Sequence, residues 1–224
     1  MNNKQILQYA KDLNKAFLDV KTVSKELQEA YLDIIHRLII AAEFKDEYTG
    51  GHIQRISIYC TLIAEKLGLD SKTVENIRFT SPMHDIGKIG IPDSILLKKG
   101  KLSKEEFEVI KTHTIIGSKI LDGSNSKILQ MAQQIAISHH EKWNGQGYPY
   151  GLAGEEIPLV GRIVALADVF DALISDRPYK KAYSLEESCD IIRKERGHHF
   201  DPKIDDIFLD NFDEILIRGD LKNE

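Results

Sequence analysis

At positions 84–92 the chain reads His84-Asp85-Ile86-Gly87-Lys88-Ile89-Gly90-Ile91-Pro92. An imidazole and a carboxylate stand side by side, and neighbours on a regular helix point about 100° apart. Both can address one point only where a helix ends or kinks, and the two glycines with Pro92 supply that break.

Outward from this dyad, the same side-chain types recur at His52, His113, the pair His139-His140, and Asp168. Each falls on a different expected helix or at its end, at intervals of roughly thirty residues, as in a bundle whose helices each project a ligand towards a common axis. The His139-His140 pair precedes a Gly- and Pro-rich stretch, so the geometric argument made for His84-Asp85 applies again. Neutral imidazole mixed with carboxylate, and no thiolate, suits Fe, Mn or Zn. Together with His84 and Asp85 the set exceeds one tetrahedral site, so two ions sharing a bridging carboxylate is the economical arrangement.

The rest of the pattern is helical. Helices are expected over 49–67, 71–84, 103–121, 126–140, 158–174, 185–196 and 202–216, with no credible strand runs. Ser71 precedes one run, Ser103-Lys104-Glu105-Glu106 reads as a capping box, Ser184 leads into Glu186-Glu187, and Gly68 reads as a helix stop. Asn144 to Pro158, NGQGYPYGLAGEEIP, is an irregular loop or short hairpin between helical neighbours. Upstream, Ile6, Ala10, Leu13, Phe17, Val20, Ser24, Leu27, Tyr31, Ile34 and Leu38 are spaced four and three alternately, a heptad seam with one polar slot. Such a narrow stripe favours a second helix alongside. The expectation is a parallel coiled coil and a homodimer, with an intramolecular hairpin or a helix lying on its own domain as the alternative. The fold class is therefore all-α: a dimerisation helix over 1–42 and a helical bundle over 43–218.

A net charge of −5 argues against a nucleic-acid polymer as partner. Cys60 and Cys189 lie far apart in apolar helical stretches, which fits reduced thiols. The N-terminus has no signal-like apolar region, and the apolar segment 31–44 is interrupted by Asp33, His36, Arg37 and Glu43 and is too short to span a bilayer. A cytoplasmic setting is expected.

The runs HDIGK at 84–88, HHEKWNGQGYP at 139–149 and ADVFDALISDRPYKKA at 167–182, with DEYTGGHIQR at 46–55 and His113, resemble the HD-GYP branch of the HD phosphohydrolases. The resemblance implies an HD-type helical bundle with an irregular GYP loop. It also implies hydrolysis of cyclic di-GMP to pGpG and on to GMP by a metal-activated hydroxide attacking phosphorus. Carried over by position, His52, His84, Asp85, His113, His139, His140 and Asp168 are the metal ligands, with Asp85 bridging. Lys88 meets charge developing on the phosphate or the leaving oxygen. Tyr148 contacts the dinucleotide, and Arg177 and Lys180 grip its phosphate. Fe or Mn comes first as the metal.

One position departs from the family. Members with a third ion carry a glutamate four residues before the first histidine, and here Tyr48 stands there. A protonated phenol is a poor ligand, so two ions are expected, with a third held by water and the remaining side chains as the alternative. His36, His198 and His199 read as solvated or structural, Glu141 and Trp143 as supporting groups, and Gly147 and Pro149 as shapers of the loop. A cyclic di-GMP receptor without turnover and another HD nucleotide phosphohydrolase are the competing functions. Chains of this type follow a sensory or receiver domain, so input is expected through the helical arm or from another protein.

Overall fold

A computed structural model describes residues 3–45, 51–176 and 181–219. Among them the regular structure is helical: eleven α-helices and three short 3-10 turns, with only two isolated β-bridges, Asn144 to Ala153 and Arg196 to Phe200. No helix among the described residues is long and apolar enough to cross a membrane.

The chain divides into two units, Met1–Ala41 and Ala42–Glu224. The first consists of helix α1, Asn3–Glu43, which runs into the start of the second. Its seam residues Ile6, Leu13, Phe17, Val20, Leu27, Ile34 and Leu38 are each more than half exposed. Polar pairs one turn apart, Gln8 with Asp12, Lys25 with Glu29 and Arg37 with Asp33, support the helix along its flanks.

The second unit holds α2 (His52–Lys66), α3 (Ser71–Thr80), α4 (Asp93–Leu96), α5 (Lys104–Lys111), α6 (His113–Leu121), α7 (Lys127–Ser138), α8 (Leu159–Ile174), α9 (Leu185–Lys194), α10 (Pro202–Asp210) and α11 (Phe212–Arg218). Helix α2 packs on α3 and α8, α7 lies against α6 and α8, and α10 and α11 close over α2. Their shared core holds a ring cluster in which Phe170 meets Tyr59, Phe208 and Phe212 at centroid separations of 5.3, 4.9 and 5.6 Å. Fully buried Ile56, Leu62, Ile63, Ile135 and Ile163 surround it.

The capping signals act largely as read. Ser103 and Ser184 form reciprocal boxes with Glu106 and Glu187, Asp201 caps α10 through the Lys203 amide, and Gly68 takes a φ of 76° behind α2. At α3 the cap is Asp70, one residue earlier than expected, accepting from the amides of Lys72 and Thr73. Three expected helices are broken. The run to His84 leaves α geometry at Ser81 and continues as a 3-10 turn, 103–121 divides at Thr112, and 202–216 divides at Asn211. Neither of the last two breaks is marked by Gly or Pro, so periodicity alone reads through them. Both cysteines are free, Cys60 fully buried and Cys189 only partly so.

Candidate metal centre

The residues nominated from sequence as ligands come together in two abutting groups. Asp85, His113, His139 and His140 offer atoms all within 4.8 Å of one another, and so do His52, His84 and Asp168. Local structure explains how. His84 and Asp85 lie between two 3-10 turns, Ser81–Met83 and Ile86–Gly90, so the dyad is released from helical spacing. The break at Thr112 makes His113 the first residue of α6, and His139 caps the end of α7 with His140 just beyond. Gly87 packs against the His113 carbonyl so closely that a Cβ there would overlap it. That contact lets the turn carrying Asp85 meet the start of α6.

The imidazoles are aimed by their far nitrogens. Nδ1 donates to a backbone carbonyl in His84 (Ser81, 2.9 Å), His113 (Ile110, 2.7 Å) and His139 (Ile135 and Ala136, both 3.1 Å). A carbonyl can only accept, so Nδ1 carries a proton and Nε2 of each ring, when neutral, presents a lone pair. Those lone pairs converge: His113 Nε2 lies 3.3 Å from His139 Nε2 and 3.2 Å from Asp85 Oδ1, and His84 Nε2 lies 3.3 Å from Asp85 Oδ2 and 3.8 Å from Asp168 Oδ1. Acceptors facing acceptors in a buried pocket are stable only around something positive. His84 Nε2 and Asp85 Oδ1 are buried without a hydrogen-bond partner. The donor set therefore fits a divalent cation in each group.

The charges show the same demand. Burial disfavours a charged His84, yet Asp85 and Asp168 override it and push its pKa up to about 9. Burial also opposes ionisation of Asp85, but Lys88 and His84 hold its pKa well below the usual carboxylate range. His140 is driven well down by burial, with His139 and His113 adding repulsion, so it is a neutral ligand type. Lys88 Nζ lies 2.8 Å from Asp85 Oδ2.

Among the nominated substrate contacts, Tyr148 lies against the cluster, its ring 4.8 Å from that of His140. Burial, reinforced by Asp85 and Asp168, raises its phenol, which stays a proton donor. Arg177, Lys180 and the departing Tyr48 lie outside the described residues. The loop carrying Tyr148 is held by Glu141, whose carboxylate accepts from the Tyr150 and Leu152 amides at 2.8 and 3.1 Å. Gly147 rests on the backbone of Glu141 and Lys142, where no side chain fits. The carbonyls of His198 and His199 accept from the Asn144 and Trp143 amides, so that pair ties the loop to the approach of α10.

Four contributors escape sequence reasoning. Asp171, 2% exposed, accepts from His52 Nδ1 at 2.7 Å and from the Arg55 guanidinium. Burial opposes its charge, but His52 and Arg55 hold its pKa below the ordinary value. This is a carboxylate orienting a candidate ligand imidazole from behind. The signal was present as three-residue spacing, Asp168 to Asp171 and His52 to Arg55, on two helices that pack together. Lys45 Nζ donates to the Ile89 and Ile91 carbonyls at 2.6 and 2.8 Å, pinning the turn after the dyad. Glu43, its carboxyl raised by burial, senses the charges of His52 and His84.

Bundled helices that turn imidazoles and carboxylates onto one buried point define a metal-ion site of the HD type. The HD domain profile matches residues 38–204, and the chain belongs to that family, in its HD-GYP branch. It is 45% identical over 205 residues to a cyclic di-GMP phosphodiesterase of Thermotoga maritima, covering 90% of this chain and 56% of that one. It is 42% identical over 197 residues to 3′3′-cGAMP-specific phosphodiesterase 2 of Vibrio cholerae, covering 88% and 38% respectively. The chain thus spans about half the length of these relatives. A crystal structure of a cyclic GMP-AMP-specific phosphodiesterase of V. cholerae shares the fold, with a TM-score of 0.61 at 23% identity over 84% of this chain and 53% of that one.

Proposed function

We propose that the chain is a metal-dependent phosphodiesterase that opens cyclic di-GMP to linear pGpG, with GMP as a further product. The observation that carries this reading is the position of Asp85 between the two ligand groups: Oδ1 faces His113 and His139, and Oδ2 faces His84. The names of the relatives support the cyclic dinucleotide as substrate.

In this reading His52, His84 and Asp168 would hold one ion and His113, His139 and His140 the other, with Asp85 as the carboxylate they would share. Fe or Mn is the metal of this reading, in a set that mixes imidazole with carboxylate. Such a pair supplies a hydroxide at neutral pH and a Lewis acid for the phosphoryl oxygen. The protein's own groups do the rest. Lys88, paired with Asp85, stands at the edge of the cluster and takes up the charge of the departing 3′ oxygen. Tyr148, its phenol protonated, donates to substrate, and Arg177 with Lys180 takes the phosphate.

We further read 1–42 as a dimerisation arm and 43–218 as the catalytic domain, with the exposed seam of α1 pairing with a second copy. Input from a sensory or receiver partner travels through that arm. Free cysteines suit a reducing, cytoplasmic setting.

The test is anaerobic purification, metal analysis and a time course with cyclic di-GMP for wild type beside Asp85→Ala. Near-stoichiometric binding of two ions and ring opening are expected for wild type. The variant should retain its helical content, lose metal, and fall about 100- to 1,000-fold in rate, the loss expected when a preorganised group at the reaction centre disappears. Tight binding without turnover by metal-loaded wild type would replace the enzyme reading with a receptor.

A further inference from the structure

Helix α5 lends two side chains to the wall beside the cluster. Phe107 and Lys111 stand one turn apart, on one face. The Phe107 ring meets that of Tyr148 nearly edge-on, at 6.4 Å and 81°. Lys111 Nζ lies 5.7 Å from the Phe107 centroid and 5.6 Å from the Tyr148 centroid, so its charge is held against both rings. Tyr148 in turn lies on the ligand-type His140. Phe107 remains 46% exposed, a large apolar ring open to solvent beside Tyr148. The ion partner of Lys111 is Glu108 at 2.6 Å, whose side chain is 68% exposed. Pairs of that kind are worth little and exchange readily for a better acceptor.

We propose that Lys111, Phe107 and Tyr148 form a guanine-selecting subsite of the cyclic dinucleotide pocket. This rests on the phosphodiesterase reading above. Every base offers a face to an aromatic ring, so the rings supply affinity without choice. Choice comes from the ammonium. Guanine presents two acceptors, O6 and N7, along one edge, whereas adenine carries a donor N6 amine in place of O6. A lysine has three donors and no acceptor, so it matches the guanine edge and opposes the adenine amine. The link to the centre is short: His113, of the ligand group, lies two residues beyond Lys111 and opens α6. Lys111 is therefore tied through one short stretch of backbone to the group that holds His113.

The experiment compares wild type, Lys111→Met, Lys111→Arg and Phe107→Ala as metal-loaded full chains. The substrates are cyclic di-GMP, cyclic di-AMP and bis(p-nitrophenyl) phosphate, and the Kd values of GMP and AMP are measured alongside. In Lys111→Met the apolar stem stays and the charge goes. Its preference for cyclic di-GMP over cyclic di-AMP should fall about tenfold, the scale of one base-edge contact, mainly through KM. The GMP to AMP affinity ratio should fall alongside, with metal content and bis(p-nitrophenyl) phosphate turnover unchanged. Lys111→Arg should keep the preference, because a guanidinium also donates to O6 and N7. Phe107→Ala should weaken both dinucleotides together. Equal losses on both dinucleotides in Lys111→Met would make Lys111 a phosphate contact and overturn the proposal, and so would an unchanged ratio. Wild type that cleaves bis(p-nitrophenyl) phosphate but no cyclic dinucleotide would instead overturn the reading beneath it.

Discussion

Asp205 shows how one side chain can depart from its surroundings. It is fully buried in α10, and neither carboxylate oxygen has a hydrogen-bond partner among the described residues. Burial, with Asp206 adding repulsion, raises its pKa to about 6. The folded state thus holds a proton that the unfolded chain has released, so its contribution to stability is full below the ordinary pKa near 3.8 and is lost as pH rises through about 6. Asp205→Asn removes that dependence. In metal-free protein the variant should match wild type at pH 4 and exceed it above pH 7, by on the order of 3 kcal/mol. Chemical denaturation across that range measures it, and a difference that stays flat with pH would refute the account. Nothing in the sequence marks Asp205, because an aspartate beside Asp206 on an amphipathic helix reads as solvated. The candidate ligands were legible for the opposite reason: histidines and aspartates recur at the ends of successive helices as a set, although a single pair such as His198-His199 can be structural.

At the scale of elements, α8 carries two carboxylates one turn apart with different tasks. Asp168 faces the cluster, and Asp171 stands behind His52 and accepts a hydrogen bond from its Nδ1. Asp171→Asn keeps the shape but replaces a full charge with a neutral acceptor. Metal affinity at the His52, His84 and Asp168 group should weaken 10- to 100-fold, as when an outer partner of a ligand histidine is removed. Competitive chelator titration reads this directly. A variant that kept both affinities would show that Arg55 and packing alone aim the imidazole. Helix number and order were largely readable from periodicity and caps, but the interruptions at Thr112 and Asn211 were not. The break at Thr112 answers a tertiary demand. It places His113 at a helix start, against Gly87, a contact formed between segments distant in sequence.

For the whole molecule, the question is what covers the seam of α1. A row of apolar residues, each more than half exposed, is an unusual surface for a single copy. If a second copy covers it, charges placed in the seam must separate the two. Phe17→Glu with Leu27→Glu should turn a dimer into a monomer in sedimentation at micromolar concentration, leaving the metal content of the second unit unchanged. Wild type that sediments as a monomer would remove the dimer from the proposal. The seam was plain in the sequence as a spacing rule. The partner is not, because a heptad stripe encodes the need for a neighbour and says little about which one.

The backbone bonds of the histidines carry one last consequence. The Nδ1 atoms of His113 and His139 donate hydrogen bonds to carbonyls three or four residues back along their own segments, whereas His52 relies on Asp171, more than a hundred positions away. Of the two proposed ion sites, the side with His113 and His139 is therefore aimed by local chain geometry, whereas the other, though Ser81 aims its His84, depends for His52 on the docking of two distant helices. As heat or denaturant loosens the bundle, the half that depends on docking should release its ion first. Inactivation would then pass through a species that still holds a single ion in the surviving half.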